Sequence, residues 1–238
     1  MNKIPLKLTL SVLGPTILIL GFLLYLRVIW FVYPNKNIYQ VDGLDVSNHQ
    51  GVIDWKNVDA RYKFVFVKAT EAVTFVDKSF LKNAEGVKQS ERLLGAYHFF
   101  HLNYDGAEQA ENFINTVDGV IDLPPVIDFE FTGDPKTFGK SEIELRNELR
   151  KCIDKLEEYY KHKVIIYTTQ DAYKFIIKDN IENPLWYRSI YIALNKDMPN
   201  VLFWQYHNSA KVKGINKPVD LNVFRGGMEE LGDLIMKK

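Results

Sequence analysis

From residue 40 to residue 224 the chain alternates short β-rich runs with longer segments of helical periodicity, and this order constrains the fold more than any other feature. The strand candidates are 40–46, 63–69, 94–100, 125–131, 164–168, 189–193, 201–206 and 218–224. The helical stretches are clearest at 78–92, 106–115, 141–162 and 170–181. In the third, Ile143, Leu145, Leu149, Cys152, Ile153 and Leu156 recur at helical spacing, and Ser141 with Glu144 has the form of a capping box. Such alternation implies parallel strands joined by helical crossovers. Near Ser189 the helices run out, so loops or hairpins must join the last three strands. The expected fold class is α/β, a TIM-like barrel of eight strands with an incomplete helical ring. An open doubly wound sheet is second, weakened because no glycine-rich phosphate loop follows any strand. In a barrel, chemistry gathers at the carboxyl ends of the strands.

Ahead of this region stands a different kind of segment. Residues 8–26 are nineteen uncharged and mostly apolar residues, extended by 28–33 after Arg27. The run is long enough to cross a bilayer core. Lys3 and Lys7 precede it, so the positive-inside rule places the amino terminus in the cytoplasm and the rest beyond the membrane. Arg27 can snorkel at the outer end, where Tyr25, Trp30 and Tyr33 suit an aromatic belt. The stretch is too long for a typical signal core and no small-x-small site follows it, which favours an uncleaved anchor. The expected organisation is 1–7 cytoplasmic, 8–33 a transmembrane signal anchor, 34–39 a linker and 40–238 the barrel. Lysine plus arginine and aspartate plus glutamate number 30 each, so no basic field recruits nucleic acid. The lone Cys152 reads as a buried small apolar residue.

Residues 124–131, Pro-Pro-Val-Ile-Asp-Phe-Glu-Phe, form an apolar strand interrupted by two acids. Side chains alternate across a strand, so Asp128 and Glu130 share one face, roughly 6–7 Å apart at the backbone. Repulsion and partial burial raise at least one of their pKa values, as a general acid near neutral pH requires. Two solvated acids at a strand end are the plainer reading, but the apolar flanks argue for burial, and buried acids without a function are costly. Asp45 ends the first strand, where it could instead cap the turn before Trp55, and Asp220 lies in the last. First and last strands are neighbours in a closed barrel, so these two acids can meet.

Tyr97, Tyr167, Trp204 and Tyr206 lie near strand ends, where aromatic faces can meet a ligand; core packing explains any one of them equally well. Gln205 and Lys68 suit hydrogen bonds to a polar ligand, or in the case of Lys68 the balancing of an acid. His98 and His101 are three apart on a strand and face opposite sides, so each reads as structural. No metal and no cofactor are expected.

Gly43-Leu44-Asp45-Val46-Ser47 with Gln50-Gly51 and Ile53-Asp54-Trp55, and Phe66-Val67-Lys68-Ala69-Thr70-Glu71, resemble the opening of glycoside hydrolase family 25, the Chalaropsis-type lysozymes. Further matches are Gly95-Ala96-Tyr97-His98-Phe99, Gln109-Ala110 with Phe113, the stretch 124–130, Ile166-Tyr167-Thr168, Phe203-Trp204-Gln205-Tyr206 and Val219-Asp220-Leu221-Asn222. The resemblance covers residues 40 to 224 in order. It implies eight strands with five helices, and cleavage of the β-1,4 bond between N-acetylmuramic acid and N-acetylglucosamine. By the same resemblance Glu130 is the general acid, Asp128 its partner, and Asp45 and Asp220 complete the acidic floor. Tyr97, Tyr167 and Trp204 gain weight as sugar contacts from their motifs, and with such a substrate Gln205 and Lys68 suit sugar hydroxyls or acetamides. Of the routes open to such a pair, attack by the substrate's own 2-acetamido group, steered by Asp128, is preferred to a covalent or an inverting mechanism. Family members commonly carry an aromatic residue at the position of His49 and a glycine at Ala72, departures that bear on subsites. Peptidoglycan is therefore the expected partner and wall remodelling the expected role. A non-catalytic glycan-binding barrel and a hydrolase of chitin-like polymers are the alternatives.

Overall fold

The computed structural model describes residues 6–25, 32–132, 139–195 and 197–236. The chain divides into two compact units, Met1–Tyr33 and Pro34–Lys238. In the first, helix α1 (Leu6–Tyr25) carries Pro15 inside it. At 1.5 Å per residue its 20 residues extend about 30 Å. Side chains within it are described for residues 13–23. Among the described residues no helix is long and apolar enough to cross a membrane. Residues 1–5 and 26–31 of the expected cytoplasmic end and anchor lie outside the described residues.

The second unit is a closed barrel. Its strands are β1 (Val41–Val46), β2 (Tyr62–Glu71), β3 (Phe75–Val76), β4 (Leu93–Phe99), β5 (Val126–Phe129), β6 (Ile165–Thr168), β7 (Leu185–Arg188), β8 (Val201–Ala210) and β9 (Val219–Phe224). The order is β1-β9-β8-β7-β6-β5-β4-β2, and β1 pairs with β2 to complete the circle of eight. The two-residue β3 only extends β2 at its outer end. All neighbours in the circle run parallel except β9, which is antiparallel to both β1 and β8. This reversal brings the start of β9 to the mouth formed by the carboxyl ends of the others. Asp220 is thereby placed opposite Asp45 in register.

The strand expected at 189–193 is absent, and β7 comes four residues earlier. Leu185 N–H binds Asn200 O at 2.7 Å and Ser189 N–H binds Gln205 O at 3.0 Å, after which the chain leaves the sheet. The apolar Tyr191 and Ile192 that suggested a strand are exposed in the following loop.

Helices α2 (Phe80–Gln89), α3 (Gly106–Val117) and α4 (Glu142–Tyr160) form crossovers, followed by α5 (Gln170–Ala172), which continues as a π turn, and the short α6 (Met228–Gly232). Ser141 and Glu144 close the capping box on α4, and Leu145, Leu149, Cys152, Ile153 and Leu156 form its buried stripe. Ile143 is exposed because, two residues before Leu145, it falls on the face of the helix opposite the buried stripe. Gly106 at the start of α3 lets α4 approach, since a Cβ there would lie 1.8 Å from Glu148 O.

An aromatic plug fills the lumen. Phe66 stacks on Trp186 with ring centres 4.6 Å apart, and Phe203 lies 5.1 Å from each of Phe64, Phe66 and Phe224. Gly43 and Gly95 make room for it: an added Cβ at either would sit 2.3 Å from the ring of Phe64 or Phe66. Gly95→Ala is expected to cost about 1–3 kcal/mol of stability through overpacking. Urea denaturation should show an earlier midpoint at unchanged slope; an unmoved midpoint would mean the lumen has slack.

Candidate active site

Above the plug the lumen turns from aromatic to polar in one layer. Trp186 Nε1–H donates to Asn222 Oδ1 at 2.8 Å, and Asn222 Nδ2–H donates on to Asp45 Oδ2 at 2.7 Å. Tyr167 O–H donates to Gln205 Oε1 at 3.0 Å, and Gln205 Nε2–H reaches the same Asp45 oxygen at 2.9 Å. Two amides therefore hold Asp45 from below, each oriented by an aromatic donor, Trp186 for Asn222 and Tyr167 for Gln205.

Over this layer opens a cleft of about 440 Å³ at the carboxyl end of the barrel. All four predicted acids line it, as do Lys68, Tyr97, Tyr167 and Gln205. Lys68 Nζ pairs with Glu71 Oε2 at 2.7 Å and lies 4.8 Å from the centre of the Phe99 ring. That arrangement holds its charge at the rim.

Trp204 does not line the cleft. On β8 Gln205 points inward, so its neighbour Trp204 takes the outer face, where its indole donates to Ser189 O at 2.8 Å and its ring meets Tyr39. The expected sugar contact at Trp204 is thus a packing residue. Trp186 and Arg188, which sequence reasoning missed, occupy the cleft instead. They sit two apart on β7, the strand displaced from its expected position, and both face inward. His98 is buried between Thr70 Oγ1 at 2.7 Å and Gln109 Oε1 at 3.2 Å, off the cleft. Burial lowers its pKa to about 4, which keeps the ring neutral. His101 lies beyond the end of β4 and accepts from Asn103 N–H at 3.3 Å. Of the two departures, His49 lines the cleft, whereas Ala72 takes a positive φ of 49° that favours glycine.

Four carboxyls in a small volume cannot all ionise. Burial raises Asp128 well above its ordinary value, and the charge of Glu130 raises it further against the pull of Lys68. Burial also raises Glu130, opposed by Arg188. Asp45 is raised by burial, but the bonds from Asn222 and Gln205 favour its charged form. Burial and the Asp45 charge push Asp220 up to about 9. Asp220 accordingly carries the proton that Asp45 does not. Tyr97 and Tyr167 are likewise raised by burial and the surrounding acids, so both hydroxyls stay protonated.

A carboxyl whose folded pKa lies above its ordinary 3.8 contributes stability that is fully present below that value and lost as pH rises through about 9. Asp220→Asn cannot ionise and should escape that loss. Its melting temperature relative to the parent is expected to climb by a few degrees from about pH 5 to about pH 9. A constant difference across that range would place the proton elsewhere.

The family model of Glycosyl hydrolases family 25 matches residues 44–215, from within β1 to just before β9. The chain belongs to this family. A family 25 glycosyl hydrolase from Bacillus anthracis superposes with a TM-score of 0.78 at 39% identity, covering 85% of this chain and 96% of that one. The bacterial lysozyme from Streptomyces coelicolor gives a TM-score of 0.71 at 28% identity over 82% of this chain and 96% of its own. The YegX protein of Escherichia coli K12 is 35% identical over 202 residues, 81% of this chain and 72% of that protein. Family 25 membership makes this chain a glycoside hydrolase, and its eight-stranded barrel is the one shared with these structures.

Proposed function

We propose that the chain is a membrane-tethered peptidoglycan hydrolase. It acts as a muramidase on the β-1,4 bond between N-acetylmuramic acid and N-acetylglucosamine, with help from the substrate's own 2-acetamido group. The observation that carries this reading is the buried Oδ1 of Asp128, which has no hydrogen-bond partner and lines the cleft beside Glu130. A buried acceptor without a donor is costly, and an acetamide N–H is a donor of the right kind.

In this mechanism Glu130 gives its proton to the glycosidic oxygen as the bond from that oxygen to the anomeric carbon breaks. The acetamide carbonyl oxygen attacks the anomeric carbon and forms a cyclic oxazolinium, while its N–H bonds to Asp128, whose negative charge stabilises the developing cation. Glu130, now ionised, takes a proton from the water that reopens the ring. Asp45, held by its two amides, keeps the floor of the cleft negative where positive charge grows, and the protonated Asp220 lies beside it. Tyr97, the most open of the three aromatic residues at the cleft, supplies a ring edge and a hydroxyl, while the buried Trp186 and Tyr167 form the packed floor beneath the sugar.

The tether rests on the uncharged run of residues 8–26, with Lys3 and Lys7 on its cytoplasmic side. It holds the barrel on the outer side of the membrane, facing the wall, which suits remodelling rather than bulk lysis of foreign cells.

Digestion of purified peptidoglycan tests the activity: new reducing ends on muramic acid are expected. Ends on glucosamine alone would point to a different specificity, and no new ends to a binding module. Cell fractionation tests the tether. The full chain should sediment with membranes and resist high salt, whereas residues 34–238 alone should be soluble; a soluble full chain would defeat it.

A further inference from the structure

Beside the cleft lies a second pocket of about 400 Å³ that the mechanism leaves unused. It is walled by the start of α5 and by the loop that leaves β7, and Arg188 lines both it and the cleft. The two spaces therefore border the same residue. The pocket is chemically mixed: Asp171 and Arg188 bring opposite charges, Thr169 and Asn195 bring neutral polar groups, and Ile190 and Met198 bring apolar surface.

A bare glycan does not call for this set. Its hydroxyls and acetamides are neutral and each muramic acid keeps only one lactyl carboxylate, so it needs no full charges of both signs. A short peptide that carries free carboxylates and an amine does. Muramic acid bears such a peptide on the lactyl group of its 3-oxygen, the carbon next to the one that holds the 2-acetamido group. When the acetamide sits at Asp128, the peptide must leave the ring within one sugar's width of the acids.

We propose that this side pocket receives the peptide stem of the muramic acid residue whose bond is cut, an inference that rests on the muramidase reading. Arg188 takes a stem carboxylate through its planar fork, and Asp171 takes the stem amine. The pocket is thus a specificity site that lets the enzyme tell peptide-bearing strands from bare ones. The charged groups around Arg188 on the cleft side are Asp45, Asp128, Glu130 and Asp220, all of which it favours in their ionised forms. A residue serving only to balance those acids would not need to border the second pocket.

The test compares two substrates with the full-length protein: peptidoglycan with intact stems, and the same glycan stripped of stems by a muramoyl-alanine amidase. The parent protein is expected to prefer the stem-bearing glycan in kcat/KM by about ten- to a hundredfold, the worth of a hydrogen bond to a charged group. Ala193→Trp, which fills the pocket from its exposed loop, should abolish that preference and leave the rate on stripped glycan unchanged. Asp171→Asn should reduce the preference in part. Arg188→Gln should lower both rates, that on stem-bearing glycan by the larger factor. Equal parent rates on the two substrates would overturn the proposal, as would a preference untouched by Ala193→Trp. Failure of the parent to cut either substrate would instead overturn the muramidase reading, and this proposal with it.

Discussion

Glu130→Gln is expected to lower turnover on peptidoglycan by about 10²–10⁴-fold, the range of a lost general acid. The change is nearly isosteric and keeps an oxygen acceptor at the same place, so the barrel should melt as before. The proton is the only thing removed. Burial raises the pKa of Glu130. Activity that depends on its protonated form therefore persists above the usual carboxylate range and is lost as pH rises through the folded pKa. The alkaline limb of the kcat/KM profile should accordingly vanish in the variant along with most of the rate. Unchanged turnover would defeat the assignment, and a lost rate with the alkaline limb still in place would hand the acid role to another carboxyl.

Asp128→Asn addresses a different part of the mechanism, with a loss of about 10²–10³-fold in kcat expected for one electrostatic group aimed at developing charge. In the empty cleft Asp128 and Glu130 take up protons as a pair, and Asp128 is the more strongly raised of the two. Substrate reverses that order. An acetamide N–H donated to the unpartnered Oδ1 favours the charged form of Asp128 and leaves the proton for Glu130, whose side chain is the less buried. Replacing the 2-acetamido group by a hydroxyl should therefore cost the parent enzyme heavily and the Asp128→Asn variant little. Trapping a sugar ester on Asp128 or Asp45 would sink the assisted route.

The sequence displayed the acids far better than it displayed the residues around them. Asp128 and Glu130 were legible because period-two alternation is strict along β5, even though the strand proper ends at Phe129. Asp45 and Asp220 followed from closure, since their strands had to meet. Arg188 and Trp186 were hidden because β7 has four residues and enters directly from Pro184, while the more apolar loop after it imitates a strand better than the strand does. Trp204 was misplaced by trusting a motif over parity: with Gln205 pointing in, its neighbour had to point out. The hydrogen-bonded amide layer carried no sequence signal at all, because Asn222 and Gln205 become a pair only through Asp45.

The antiparallel return of β9 also sets an order of events during synthesis. Asn222, which grips Asp45, lies 177 residues further along the chain. Contacts of such long range form late and slowly. No chain that stops short of β9 contains the finished carboxylate floor, and the hydrolase becomes competent only after that strand has been made and has closed the barrel.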